Sequence, residues 1–185
     1  MIEMIFDETK QNMGKRVEAL KQELTRLRTG RASLSLLDGI KMDYYGTQTP
    51  LNQVASLAIP ESRLITIQPW DNSVIGEIEK AILKSELGLT PMNDGKLIRI
   101  AIPPLTEDRR KELVKVVRKT VESFRVAIRN IRRESNDDLK NLKKNGEISE
   151  DEAFKAQEQI QKMTDEYIEM VDHIGSAKEK EILEF

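Results

Sequence analysis

Five arginines stand between positions 118 and 133 (Arg118, Arg125, Arg129, Arg132 and Arg133) against a single lysine, Lys119. A guanidinium is a planar fork that can grip phosphate oxygens in pairs and stack on exposed bases. On a helical wheel at about 100° per residue, with Arg118 at zero, Lys111 and Arg129 fall near +20°, Arg125 near −20° and Arg132 near −40°. The apolar residues of the same stretch centre roughly 110° away. One helix therefore carries an apolar seam on one side and a row of arginines on the other, flanked by Arg133 and Lys140. A merely solvated helix would mix in more lysine and pair each cation with an acid four residues away. Such partners are scarce here: Glu122 can reach Arg118 or Arg125, and Glu134 lies across the wheel. Two readings stay open. The row binds RNA or another polyanion, or it is a solvated face whose arginines pair with the acidic segment that follows.

Other chemistries have weaker support. The only histidine, His173, sits beside an apolar seam, where a place on the bundle surface explains it better than catalysis. There is no phosphate loop, no serine elbow and no paired histidine–carboxylate metal motif. Glu150, Asp151 and Glu152 suit a helix start better than a metal. Trp70, after Pro69 at a strand end, is expected to pack rather than to serve as a base-stacking platform. The absence of cysteine removes disulfides, thiol catalysis and thiolate metal sites together. No catalytic residue, metal or cofactor is expected, so the chain is read as a non-enzyme.

The formal net charge of −2 conceals a strong asymmetry. Residues 107–144 hold thirteen Lys/Arg against seven Asp/Glu, whereas residues 145–185 hold four against twelve. Segment charge, rather than the overall balance, bears on nucleic-acid binding. No apolar run approaches the roughly 20 residues that cross a bilayer, so no membrane partner is expected. The first ten residues lack the order of a secretory signal, and a cytoplasmic location is the expectation.

Three long amphipathic helices must position these residues. Phe6, Met13, Val17, Leu20, Leu24 and Leu27 form a heptad-like seam, predicted to end near Gly30. A second helix starts after Pro103-Pro104-Leu105, with Thr106 as N-cap and Glu107 and Asp108 at the positive end of its dipole. It carries Leu113, Val117, Val121, Phe124, Ile128, Ile131, Leu139 and Leu142 and stops near Asn145-Gly146. The third opens on Ser149-Glu150-Asp151-Glu152, a capping box, and continues a seam through Ala153, Ala156, Ile160, Met163, Tyr167, Met170, Ile174 and Ala177. None can bury its stripe alone, which predicts a three-helix bundle.

The middle differs in texture. Ile40, Met42 and Tyr44 alternate with polar neighbours, and Leu64–Ile67 and Leu97–Ile102 are rich in β-branched residues. A helix fits Ser73–Leu87, with Val74, Ile78, Ile82 and Leu83 inward and Gly88 as its stop. The predicted class is α+β. Residues 1–30 and 105–185 form a long antiparallel three-helix bundle, and residues 31–104 a small inserted β/α/β domain. The two crossings carry Gly30 and Arg31, then Pro103, Pro104 and Leu105. They form a hinge of limited freedom or ordinary punctuation between domains.

Several motifs then occur in a specific order: Arg28-Thr29-Gly30-Arg31-Ala32-Ser33, Tyr44-Tyr45-Gly46-Thr47 with Thr49-Pro50-Leu51, and Leu87-Gly88-Leu89. Pro103-Pro104-Leu105-Thr106-Glu107 follows, running into Arg109-Arg110, and then Arg129-Asn130-Ile131-Arg132-Arg133. Together they make the chain resemble the ribosome recycling factor family over essentially its whole length. Thr90 stands where the family pattern has Asn, and Asp108 where it has Glu; either substitute can do similar work in a turn or a cap. The resemblance implies an L-shaped protein, with the bundle at roughly a right angle to the insert and an outline like transfer RNA. It implies a monomer that binds large-subunit ribosomal RNA of the post-termination ribosome. GTP-bound elongation factor G would then drive subunit splitting, with the GTP chemistry belonging to that partner. It assigns RNA contacts to Arg129 and Arg132 foremost, supporting ones to Arg28, Arg31 and Arg110, and the interdomain elbow to Gly30, Pro103 and Pro104. Arg118, Arg125 and Arg133 join the set through the basic face. The rival reading is a coiled-coil adaptor, which predicts a stable oligomer and binding indifferent to these arginines; an enzyme is a distant third.

Overall fold

The computed structural model describes residues 1–184. They form an α+β architecture of two compact units, Met1–Arg28 with Glu107–Glu184, and Thr29–Thr106.

The first unit holds α1 (Ile2–Thr25), α3 (Glu107–Lys144) and α4 (Glu150–Glu184), with α2 in the other unit. Met13, Val17, Leu20 and Leu24 of α1 are buried as their spacing demands. The helix ends five residues before Gly30. Its last turn tightens into three-residue bonds, Arg26 N–H to the Glu23 carbonyl and Leu27 N–H to that of Leu24. Gly30 still adopts a left-handed φ of 78°. The α3–α4 turn is a Schellman motif: Gly146 N–H donates to the Lys143 carbonyl and Glu147 N–H to that of Leu142. The capping box forms as predicted, with Ser149 N–H donating to Glu152 at 2.8 Å and Glu152 N–H to the Ser149 hydroxyl at 3.2 Å. This turn makes α3 and α4 antiparallel.

The α4 seam drifts from its predicted line. Ala153, Ala156 and Ile160 are buried, but the core continues through Thr164, Val171, Gly175 and Ile182, while Met170 and Ala177 are exposed. An apolar-only count misses Thr164, whose hydroxyl turns back to the Ile160 carbonyl at 2.7 Å, and Gly175, which has no side chain to count. Gly175 lies close against α3: a Cβ there would meet Val121 Cγ2 at 2.6 Å.

The second unit contains a two-stranded ribbon, β1 (Lys41–Tyr44) with β2 (Thr47–Pro50). It also contains a four-stranded antiparallel sheet in the order β3 (Ala55–Glu61), β4 (Leu64–Pro69), β6 (Ile98–Ala101), β5 (Pro91–Asn93). Tyr45 and Gly46, both at positive φ, make the two-residue turn of the ribbon. The helix α2 spans only Ile75–Lys84, preceded by a short 3-10 turn that Asp71 caps through Ser73 N–H. Val74, Ile78 and Ile82 face Ile65, Ile67, Ile98 and Ile100 in one core. Leu83, expected inward, is exposed, because a ten-residue helix against one sheet buries a narrow stripe. Trp70 is 70% exposed and Tyr45 76%, so neither carries the packing role expected of Trp70. The strands β2 and β5 are short, and the seven-residue β3 is largely exposed, so none shows a clear alternation.

Candidate nucleic-acid interface

All five arginines of 118–133 lie on the unbroken α3, which fixes their spacing along one rod. Pro104 and Leu105 precede the helix, and Glu107 and Asp108 occupy its first turn, where the dipole favours acids. Val117, Val121, Ile128 and Ile131 anchor the opposite side in the bundle.

Acid partners are scarce on α3 itself but are supplied by α4, as the second of the two open readings expected of the acidic segment that follows. Arg118 grips Glu179 with two bonds, Nε to Oε1 at 3.0 Å and Nη2 to Oε2 at 3.2 Å. Seven residues along α3, Arg125 meets Asp172 at 2.6 Å, and that acid lies seven residues back along α4. Seven further, Arg132 donates to the Gln161 side-chain carbonyl at 3.1 Å, and the Gln161 amide donates to Asp165 at 2.8 Å. The first two rungs follow from matched heptad spacing on antiparallel helices, 118 and 125 against 179 and 172, whereas Arg132 reaches Asp165 only through Gln161. That signal was present in the sequence but visible only with the two helices aligned. Glu122, expected to serve Arg118 or Arg125, does bond Arg125 at 2.8 Å, and it also reaches Arg129 at 3.3 Å.

Counter-charge is thus graded along the row. Arg118 has a bidentate carboxylate, which raises its pKa above the ordinary value chiefly through the Glu179 hydrogen bond. Arg125, between Glu122 and Asp172, is raised in the same way, with Glu122 the larger cause. Glu122 is lowered, first by its hydrogen bond from Arg125. Arg129 shares one acid, Arg132 meets a neutral amide, and Arg133 makes no ion pair among the described residues. The least neutralised stretch is Arg129–Arg133.

The remaining predicted residues have distinct settings. Arg110 donates to the Leu183 carbonyl at 2.8 Å, where a cation suits the C-terminus of α4. Arg28 and Arg31 are exposed and each has an interaction partner. Pro103 and Pro104 are exposed in an extended stretch after β6, which Ile102 N–H pins to the Arg63 carbonyl at 2.8 Å. Residues that sequence reasoning did not place at the site are Gln161, Asp165, Asp172 and Glu179. His173 is exposed, and no group of three or more His, Asp or Glu among the described residues could hold a metal ion. No helix among them is long and apolar enough to cross a membrane.

Comparison with known proteins gives one consistent answer. The family model described as ribosome recycling factor matches residues 20–183. The ribosome-recycling factor of Desulfatibacillum aliphaticivorans is 63% identical over the full length of both chains, and that of Bacillus licheniformis 55%. A solution structure of the ribosome recycling factor, 44% identical, superposes with a TM-score of 0.75 over 100% of this chain and 98% of its own. Another similar chain, 49% identical with a TM-score of 0.64 and 99% of both chains covered, comes from models for the T. thermophilus ribosome recycling factor and the E. coli elongation factor G bound to the E. coli post-termination complex. The match runs over the whole length in sequence and in fold, and the chain belongs to the ribosome recycling factor family, whose members are non-enzymatic translation factors.

Proposed function

We propose that this protein binds the post-termination ribosome through large-subunit ribosomal RNA and, with GTP-bound elongation factor G, splits it into subunits in the cytoplasm. Full-length identity of 63% to a ribosome-recycling factor carries the reading. The α3 arginines supply a chemistry for it, because a rigid rod holds guanidinium forks at helical spacing against a phosphate backbone. Arg129, Arg132 and Arg133 are its centre, being the least neutralised; Arg118, Arg125, Arg110, Arg28 and Arg31 extend it. Residues 1–30 with 105–185 act as the RNA-binding body and 31–104 as the inserted domain. Gly30, Arg31, Pro103, Pro104 and Leu105 are the hinge between them. Gly30 at positive φ can absorb dihedral change, while the two prolines restrict the other crossing.

The test is a light-scattering assay of post-termination ribosomes. Adding the protein, elongation factor G and GTP together should lower the scattering as subunits part, and omission of any one should prevent it. Splitting by the protein and GTP without the elongation factor, or none with all three present, would contradict the reading.

A further inference from the structure

The α4 acids that meet the arginine row have no role in the binding just described, and their placement is regular. Glu179 fills both arms of the Arg118 fork, and Asp172 lies on Arg125 at 2.6 Å. A carboxylate and a phosphate compete for the same guanidinium geometry. We propose that Asp172 and Glu179 are specificity-determining residues: they occupy the forks of Arg125 and Arg118, so that only an RNA already seated on Arg129–Arg133 recruits those two arginines. The proposal rests on the α3 face being the RNA-binding surface.

Geometry supports a conditional role rather than a permanent staple. Arg118 is 70% exposed and its pairing with Glu179 lies at the bundle surface, where an ion pair contributes little to stability and exchanges readily. The row extends about 22 Å from Arg118 to Arg133 at helical rise. Along the arginine row, a passing polyanion meets the least neutralised guanidinium groups at the Arg133 end. An RNA whose backbone follows the helix presents phosphates to the Arg118 end as well, held at high local concentration, and can displace the carboxylates. The acids thus lower affinity for RNA that touches one end while costing less with RNA that engages the whole row.

The experiment compares wild type, Asp172→Asn/Glu179→Gln and a charge-matched control, Glu158→Gln/Glu166→Gln, whose acids make no ion pair among the described residues. The probes are labelled poly(U) and isolated large ribosomal subunits, each across a salt series. Neutralising Asp172 and Glu179 should tighten poly(U) binding roughly two- to tenfold, the range that two exposed ion pairs allow. It should also steepen the salt dependence, chiefly through Arg118, because Arg125 keeps Glu122 at 2.8 Å. Subunit binding should tighten by a smaller factor, and the control should leave both unchanged. Adding Arg118→Gln/Arg125→Gln to the neutralised protein should abolish the gain on poly(U). Glu179→Gln alone, at the most exposed rung, should give the same sign at smaller size and guards against misfolding of the double variant.

An unchanged poly(U) affinity, an equal gain in the control, or a gain that survives loss of Arg118 and Arg125 would each overturn the proposal. Failure of the underlying reading looks different: Arg129→Ala/Arg132→Ala would then bind subunits as wild type does.

Discussion

Arg125 of α3 and Asp172 of α4 meet at 2.6 Å, one heptad from the Arg118–Glu179 pair on both helices. The ladder aligns the helices, but its rungs are partly open to solvent and Arg125 also holds Glu122. A double-mutant cycle on Arg125→Ala and Asp172→Ala, followed by urea unfolding, should give a coupling of roughly 0.5 kcal/mol and no more than about 1. A coupling well above that would make the ladder a main support of the bundle.

The close approach of α3 and α4 at Gly175 should be intolerant of a methyl group. Gly175→Ala gains about 1 kcal/mol of helix propensity. Its Cβ would nevertheless meet the buried Val121 at 2.6 Å, and overpacking of this kind costs roughly 1–3 kcal/mol. The expected net result is a lower Tm, with a smaller loss when the same change is made in a Val121→Ala background. An increase in Tm for Gly175→Ala alone would show that the helices part freely.

Thr9 of α1 and Ser135 of α3 touch hydroxyl to hydroxyl at 2.6 Å inside the bundle, and each also lies within bonding distance of a carbonyl one turn back, Ile5 or Ile131. Two protons serve three contacts. Thr9→Val therefore leaves Ser135 bonded to Ile131, with no buried hydroxyl orphaned, and denaturant unfolding should record a loss of about 1 kcal/mol or less. A loss above about 2 kcal/mol would mean that the cross-helix bond dominates.

Acid sensitivity should have a local component at Asp94. Backbone N–H of Lys96, then the Arg99 side chain and the N–H of Leu97, hold this carboxyl at about 2, below its ordinary value of 3.8. A depressed folded pKa stabilises the folded state above the unfolded value, and the contribution fades as pH falls through about 2. The Tm of Asp94→Asn should fall short of wild type above about pH 4 and converge with it toward pH 2. A gap that persists unchanged at the acid end would assign the effect to something other than ionisation.

Periodicity made the bundle legible because Met13, Val17, Leu20, Ile128 and Ile160 are both apolar and buried. It failed where the core is built from residues that do not look apolar: Thr164 satisfies its hydroxyl on its own helix, and Gly175 contributes by being absent. The arginine row was legible as a row, and its pairing with the acidic segment that follows stood as one of two readings, but the individual partners were not legible. A helix wheel describes one helix, and Glu179 and Asp172 come from another. The insert yielded β4, β6 and the inner face of α2, whose isoleucines are unambiguous, but not β3, whose residues are largely exposed. Trp70 was misjudged because tryptophan is usually well buried, whereas here it is largely in solvent.

The central claim is that the least neutralised part of α3 grips ribosomal RNA. The direct measurement is binding of wild type and Arg129→Ala/Arg132→Ala to isolated large ribosomal subunits across a salt series. The account predicts steep salt dependence for wild type. For the variant it predicts weaker binding and a logarithmic slope shallower by about 1.4–1.8, since each lost phosphate contact removes about 0.7–0.9. Equal affinities and equal slopes for the two proteins would contradict it.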